Sequence, residues 1–125
     1  MLEKLGDNSL VVIKDEKIIF SSGQDRLRPV IMCIAKHKKE MQGAIVIDKV
    51  VGLAAAKLFV FARVDEIYSK IMSRVAVIYL TGMNIKFEPE KIVDKILNDD
   101  KSDICPMERL AESLSGKELF GKLNK

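Results

Sequence analysis

Residues that form disulfides and metal sites are scarce in this sequence. It has two cysteines, one histidine and no tryptophan in 125 residues. Two cysteines cannot build the disulfide framework that stabilises small secreted domains, so we expect a reducing, cytoplasmic location. With one histidine, most acid–base catalysis would depend on carboxylates, lysines or a thiol. The composition therefore argues against histidine-rich catalytic sites and disulfide-stabilised scaffolds.

Long apolar segments and blocks of like charge are also missing. The longest apolar run, 53–62, is interrupted by Lys57 and is far shorter than the roughly 20 residues that cross a bilayer. The first residues, MLEKLGDN, contain no apolar signal core. The net charge of +3 comes from 21 basic and 18 acidic residues that are interspersed along the chain. We therefore expect no membrane segment and no nucleic-acid-binding surface.

The patterns that are present predict one α/β domain. The length and a hydrophobic fraction of 48% suit a single core over residues 1–125, with residues 115–125 as a tail that frays. Two β-branched runs, at 9–14 and 17–22, flank Asp15 and Glu16, a spacing typical of a β-hairpin. We then predict, in chain order, helix 25–41, strand 44–47, helix 49–62, strand 66–69, helix 73–80, strand 85–88, helix 90–97, loop 98–103 and helix 106–114.

Alternation of strands with helices indicates parallel crossovers within one sheet. The predicted fold is an α/β three-layer sandwich, in which a mixed sheet of about five strands has helices on both faces. Ligands bind such sheets beyond the carboxyl ends of the parallel strands, and Asp48 and Lys49 follow the central strand at that place. Two interpretations fit this pair. Asp48 can be the cap of the next helix with Lys49 exposed in its first turn, or both side chains can line a ligand-binding crevice.

The segment Cys105-Pro106-Met107-Glu108 predicts a second helix start that bears reactive groups. Proline suits the first helical position, and a thiol at a helix N-terminus can form the reactive thiolate more easily. The nearby Glu108 carboxylate opposes this effect. One interpretation is therefore that Cys105 is structural and that Glu108 caps the backbone of the helix. The other interpretation makes Cys105 and Glu108 candidates for catalysis.

A single closely spaced pair of residues suggests a zinc site. Cys33 and His37 lie four residues apart on the first predicted helix, where His37 falls on or near the apolar face. A histidine there is more typical of a core edge, and zinc needs three or four protein ligands. Glycine-rich phosphate loops and the G-x-S-x-G motif are also missing. We therefore predict no metal site and no cofactor.

The predicted order of elements resembles the cytidine-deaminase-like fold. Three segments are more specifically similar to an uncharacterised prokaryotic family with that fold: AIVIDKVVGLAAA at 44–56, YSKIMSRVA at 68–76 and ICPMERL at 104–110. The resemblance extends over most of the chain, from Ser9 to about Leu114.

The resemblance also shows a departure from the zinc enzymes. Zinc deaminases of this fold carry His-x-Glu or Cys-x-Glu after the central strand and Pro-Cys-x-x-Cys at the start of the next helix. Here the two places hold the segments 48–50 (DKV) and 70–73 (KIMS), which lack zinc-binding side chains in that pattern. We therefore expect purified protein to carry no stoichiometric zinc and to have no deaminase activity.

The resemblance implies a crevice at the usual place in the fold. Five polar positions are candidates to line it: Asp48, Lys49, Ser73, Cys105 and Glu108. We predict a metal-free protein that binds a small polar ligand such as a nucleoside or nucleotide. One alternative is an enzyme that uses Cys105 as a nucleophile or redox thiol. The other is an interaction module, for example a homodimer, that packs through helix 49–62 or the tail.

Overall fold

Strands and helices alternate along most of the computed structural model, which describes residues 1–24, 27–97 and 105–124. A short 3-10 helix at Leu2–Leu5 comes first. The elements that follow are β1 (Leu10–Lys14), β2 (Lys17–Ser22), α1 (Arg28–Met41), β3 (Ile45–Val51), α2 (Leu53–Ala62), β4 (Glu66–Ser73), α3 (Arg74–Thr81), β5 (Lys86–Val93), α4 (Pro106–Ala111) and α5 (Gly116–Leu123).

The strands form one five-stranded mixed sheet in the order β2-β1-β3-β4-β5. β1 is antiparallel to both β2 and β3, whereas β3, β4 and β5 are parallel to one another. Asp15 and Glu16 form the hairpin turn with φ angles of 51° and 66°, the left-handed conformation that matches the twist of paired strands. The predicted fold class, a hairpin followed by parallel crossovers in a mixed α/β sheet, is confirmed.

Helices cover the two faces of the sheet unequally. The larger core lies between the sheet and helices α1, α2 and α3, while α4 and α5 pack on the outside of α2. On the opposite face the 3-10 helix places Leu5 over a small apolar cluster of Val11, Ile13, Ile47 and Tyr68. The sandwich therefore has one thick helical side and one thin side.

β3 is longer than the sequence pattern predicts. It continues past Ile47 and pairs with β4 as far as Val51, so that α2 begins at Leu53 after Gly52. The prediction that Asp48 caps a helix starting at Lys49 is wrong, because Asp48 lies inside the strand. The β-branched residues 50–51 favour extended backbone, and pairing with β4 provides hydrogen-bond partners for the backbone groups of this segment.

The next two strands are extended in the same way. β4 reaches Ser73, and β5 reaches Val93 instead of ending at Glu88. The predicted helix at 90–97 is wrong, since its first part pairs with β4, and this ladder overrides a helix-like spacing of apolar residues. α3 is confirmed, with Ser73 as its N-cap and Gly82 as its C-cap. The predicted loop at 98–103 lies outside the described residues.

Most of the tail, where fraying is predicted, forms the helix α5. α5 starts with a capping box formed by Ser115 and Glu118, and Leu119 is fully buried. Phe120 packs on Phe61 of α2 with ring centroids 5.8 Å apart. The apolar surfaces proposed for contact with another subunit are thus largely covered within this chain. No helix among the described residues is long and apolar enough to cross a membrane.

Candidate functional site

A cavity of about 410 Å³ lies beyond the carboxyl end of β3. Asp48 and Lys49 reach it from β3, and Cys105 and Glu108 reach it from the start of α4. The remainder of its lining is Ser9, Leu27, Val50, Gly52, Ala54, Ala55, Ile96, Leu97 and Met107. Four of the five candidate residues therefore meet at one cavity.

Asp48 lies in the wall of this cavity with only 6% of its surface exposed. It stands in the ladder between Leu10 of β1 and Ser69 of β4. Its carboxylate accepts hydrogen bonds from the backbone N–H groups of Lys49 and Val50, but the burial outweighs them and raises the pKa of Asp48 well above its ordinary value. A protonated carboxyl group can donate a hydrogen bond to a ligand as well as accept one.

Glu108 caps α2 rather than its own helix. Its Oε2 accepts a hydrogen bond from the N–H of Ala54 at 3.0 Å, and its carboxylate also bonds to the N–H of Leu53. Gly52, the N-cap of α2, leaves the space for this contact, because a Cβ atom there would lie 1.3 Å from Glu108 Oε1. Burial raises the pKa of Glu108, although the two N–H groups act in the opposite direction.

Lys49 supplies the positive charge of the site. Its side chain is exposed, while its backbone N–H donates to the Ser9 carbonyl oxygen at 2.9 Å and so fixes the edge of the cavity. Among the described residues that line the cavity, Lys49 is the one cation beside the carboxyl groups of Asp48 and Glu108. The ionisable side chains among the described lining residues beside the Cys105 thiol are therefore two carboxyl groups and one lysine.

Cys105 is buried, with 8% of its surface exposed, and its backbone N–H donates to the Ile96 carbonyl oxygen at 3.0 Å. It lies in the wall that this cavity shares with a second cavity of about 630 Å³, which is bounded by α1, α4 and the end of α5. A nucleophile must be accessible to its substrate. The catalytic role of Cys105 stays a prediction.

Ser73 is not among the residues that line the cavity. It lies at the junction of β4 and α3 with 1% of its surface exposed, and its Oγ accepts a hydrogen bond from the N–H of Ala76 at 3.3 Å. This is the role of a helix cap. Its predicted contact with a ligand has no geometric support at this cavity.

Comparison with known proteins gives the family. A family model described as TM1506, Domain of unknown function (DUF1893), matches residues 1–124. The chain belongs to the DUF1893 family. The crystal structure of a DUF1893 family protein (TM1506) from Thermotoga maritima superimposes with a TM-score of 0.86 at 28% identity, over 98% of this chain and 82% of that chain. The expected membership of an uncharacterised family is confirmed.

Solved structures outside the family are similar in fold. Two forms of Acinetobacter baumannii RibD, which has a deaminase-like fold, each match the DUF1893 chain with a TM-score of 0.53. Form 2 is 18% identical over 93% of this chain and 33% of RibD, and form 1 is 19% identical over 88% and 31%. The chain thus spans about a third of RibD, and the likeness shows the fold alone. No curated protein gives a significant match.

The described residues of this DUF1893 protein do not form a zinc site of the deaminase type. Within the ranges 1–24, 27–97 and 105–124, no three His, Cys, Asp or Glu side chains are grouped to hold a metal ion. Burial raises the pKa of the Cys33 thiol to about 12. His37 stands at a kink in α1, with φ of −133° and ψ of 30°, and its ring lies 6.1 Å from that of Phe20. It is a core-edge residue, as its position in the sequence indicates.

Sequence reasoning missed two features that build the site. Gly52 leaves space for a carboxylate that comes from a distant helix, and no local pattern reveals that contact. Ser69, fully buried beside Asp48 in the ladder, donates from its Oγ to the Ile71 carbonyl oxygen. A serine between apolar and charged neighbours in β4 carries no clear sequence signal for that second position.

Proposed function

We propose that this DUF1893 protein binds a small polar ligand of the nucleoside or nucleotide class in the crevice, without a metal. The observation that carries the proposal is the meeting of Asp48, Lys49 and Glu108 at one cavity beyond a parallel strand. Open α/β sheets bind ligands at that place, and cavities of roughly 300–1,000 Å³ suit small molecules. A buried carboxyl group in an otherwise mainly apolar wall supplies orientation, as in many ligand sites.

Hydrolytic deamination is not part of the proposal. That chemistry needs a metal-bound hydroxide and a positioned carboxylate for proton transfer, and the donors present do not form a metal-binding group among the described residues. We expect metal analysis after dialysis against a weak chelator to find no stoichiometric zinc. We also expect no ammonia release from cytidine, deoxycytidine, adenosine or guanine. One zinc per chain, with ammonia release lost in Cys105→Ser, would contradict this.

A thermal-shift screen of nucleosides, nucleotides and nicotinamide cofactors tests the binding proposal. A ligand that binds the folded state raises the Tm, and at a hundred times its Kd it stabilises by about 2.7 kcal/mol. We expect this shift in the wild type and its loss in Asp48→Ala and Lys49→Ala. Lys70→Ala is the matched control, because Lys70 is an exposed lysine of the neighbouring strand that does not line the cavity. A screen without any shift, or equal shifts in all variants, would refute the proposal.

The homodimer stays a separate prediction. The surfaces first considered, α2 and the tail, are covered by packing of α4 and α5 on α2 within one chain. Light scattering of the full chain measures its oligomeric state directly. A monomer would exclude the dimer without affecting the ligand proposal.

A further inference from the structure

The start of α2 is where an anionic ligand would be expected to bind. The first N–H groups of a helix have no partner within the helix, and together with the helix dipole they attract phosphate. In this protein, however, Glu108 already accepts hydrogen bonds from Leu53 and Ala54. The chain therefore fills its own anion-binding position.

Glu108 is packed closely against the start of α2. Its carboxylate fills the volume that a side chain of residue 52 would need, with Cδ 2.5 Å and Oε1 1.3 Å from the position of a Cβ atom there. A phosphate group could reach these N–H groups only by displacing Glu108. Displacement would leave a half-buried carboxylate without its two donors, which is costly.

Asp48 adds a second carboxyl group to the same cavity, and Lys49, whose side chain is exposed, is the one cation among the described lining residues. A ligand in this cavity thus meets carboxyl oxygens that accept hydrogen bonds. A phosphate brought into it would also lie near the Glu108 carboxylate in a partly desolvated site. The charge arrangement favours groups that donate hydrogen bonds, such as an amino group, an amidine or a protonated ring nitrogen.

We infer that the crevice selects an unphosphorylated ligand that carries N–H donors, an inference that rests on the proposed function. In this inference, Glu108 excludes phosphate from the start of α2. Glu108 is a specificity-determining residue in this account. Asp48 and Glu108 are the acceptors that face the donor groups of the ligand.

Matched ligand pairs test the selection. Calorimetry compares a nucleoside with its own 5′-monophosphate, and adenosine with inosine, which has an oxo group in place of the amino group. We expect the nucleoside to bind about tenfold more tightly than its monophosphate, and adenosine more tightly than inosine. Glu108→Gln, which keeps an oxygen acceptor but removes the charge, should reduce the first ratio. Glu112→Gln is the control, because Glu112 is an exposed carboxylate just after α4 that does not line the cavity.

A second arm needs no knowledge of the ligand. Inorganic phosphate is compared with chloride at equal ionic strength by its effect on the Tm of wild type, Glu108→Ala and Glu108→Gln. We expect phosphate to have no specific effect on the wild type but to restore part of the Tm lost in Glu108→Ala, because the freed N–H groups then bind it. Glu108→Gln, a milder change, gives a folded variant in which a smaller gain is expected.

The outcomes distinguish a failure of the proposed function from a failure of the inference that Glu108 excludes phosphate. Monophosphate binding as tight as nucleoside binding would overturn the inference and leave the proposed function standing. If neither ligand binds, the proposed function fails, and the phosphate arm alone decides whether Glu108 occupies an anion site. An equal phosphate effect on the wild type and both variants would overturn that assignment.

Discussion

Two helices begin at the same edge of the sheet, and their first turns are stabilised in different ways. α3 follows β4 and is capped by Ser73, the residue just before it. α2 follows β3, has Gly52 as its N-cap, and takes its cap from Glu108 of α4. A cap from an adjacent residue satisfies an N–H group of its own helix and connects no other element to it. A cap from a distant helix also ties α4 to the sheet edge and places a carboxylate in the crevice.

The largest effect is expected from Gly52→Ala. The backbone at Gly52 has φ of −99° and ψ of −171°, which any residue can adopt, so the objection to alanine is purely one of space. The new Cβ would push the Glu108 carboxylate away from the N–H groups of α2, and overpacking together with loss of this cap costs roughly 1–3 kcal/mol. Urea denaturation should show that loss. Gly121→Ala in α5 is the control for space, because its Cβ position has no atom within 4 Å apart from its chain neighbours and the nearby backbone of its own helix.

A double-mutant cycle identifies the cause of the Gly52→Ala effect. If the clash is with Glu108, the same substitution should cost less in a Glu108→Ala background, giving a coupling of about 0.5–3 kcal/mol. Additive losses would show that Gly52 is required for another reason. In that case the Gly52→Ala loss would not come from contact with Glu108, and the loss in Glu108→Ala alone would measure the distant cap.

Asp48→Asn should change how stability depends on pH. Since the folded pKa of Asp48 lies above the unfolded value, its contribution to stability is fully present below the unfolded pKa and is lost as the pH rises through the folded pKa. Asparagine keeps an oxygen acceptor for the N–H groups of Lys49 and Val50 and carries no charge. We expect the variant to be the more stable at neutral pH, with the difference shrinking as the pH falls towards about 4, the unfolded pKa.

Denaturation curves between acid and neutral pH measure this difference. Asp7→Asn, at an exposed position, controls for the removal of one carboxylate from the chain. A variant less stable than the wild type at neutral pH would mean that the charged form of Asp48 holds the β3 end together. The Asp48 carboxylate would then stabilise the fold by accepting hydrogen bonds from backbone N–H groups, as the Glu108 carboxylate does.

The predictions from sequence were right where local pattern decides structure and wrong where pairing across the sheet decides it. The hairpin turn at Asp15 and the helix that starts after Ser73 follow from adjacent residues. Asp48 has the chemistry of a helix cap, but strand pairing on both sides holds it in β3. The contact between Glu108 and α2 joins elements far apart in the chain, so neither spacing nor propensity could reveal it.

Ser73→Ala tests the local cap and should have a moderate effect. It removes the acceptor for the N–H of Ala76, and loss of a serine N-cap costs about 1 kcal/mol. Because Ser73 does not line the cavity, ligand affinity should be unchanged in the folded protein. Ser113→Ala, at an exposed serine, is the control for stability. A loss of ligand binding in Ser73→Ala without a loss of stability would show that the ligand contacts the start of α3. The local cap, and not only the distant one, would then belong to the ligand site.

The smallest effect is expected from Asp94→Asn, beside the start of α3. Arg74 Nε donates to Asp94 Oδ1 at 2.6 Å, and this bond lowers the pKa of Asp94. A lowered folded pKa contributes stability above the unfolded pKa and loses it as the pH falls. Both side chains are, however, more than two-thirds exposed, so water and salt screen the pair. The free energy of unfolding at neutral pH should therefore be the same as that of the wild type within error, at low and at high salt. If Asp94→Asn instead cost as much as Ser73→Ala, the first turn of α3 would depend on a charge from beyond β5, and both helix starts would rely on a distant carboxylate.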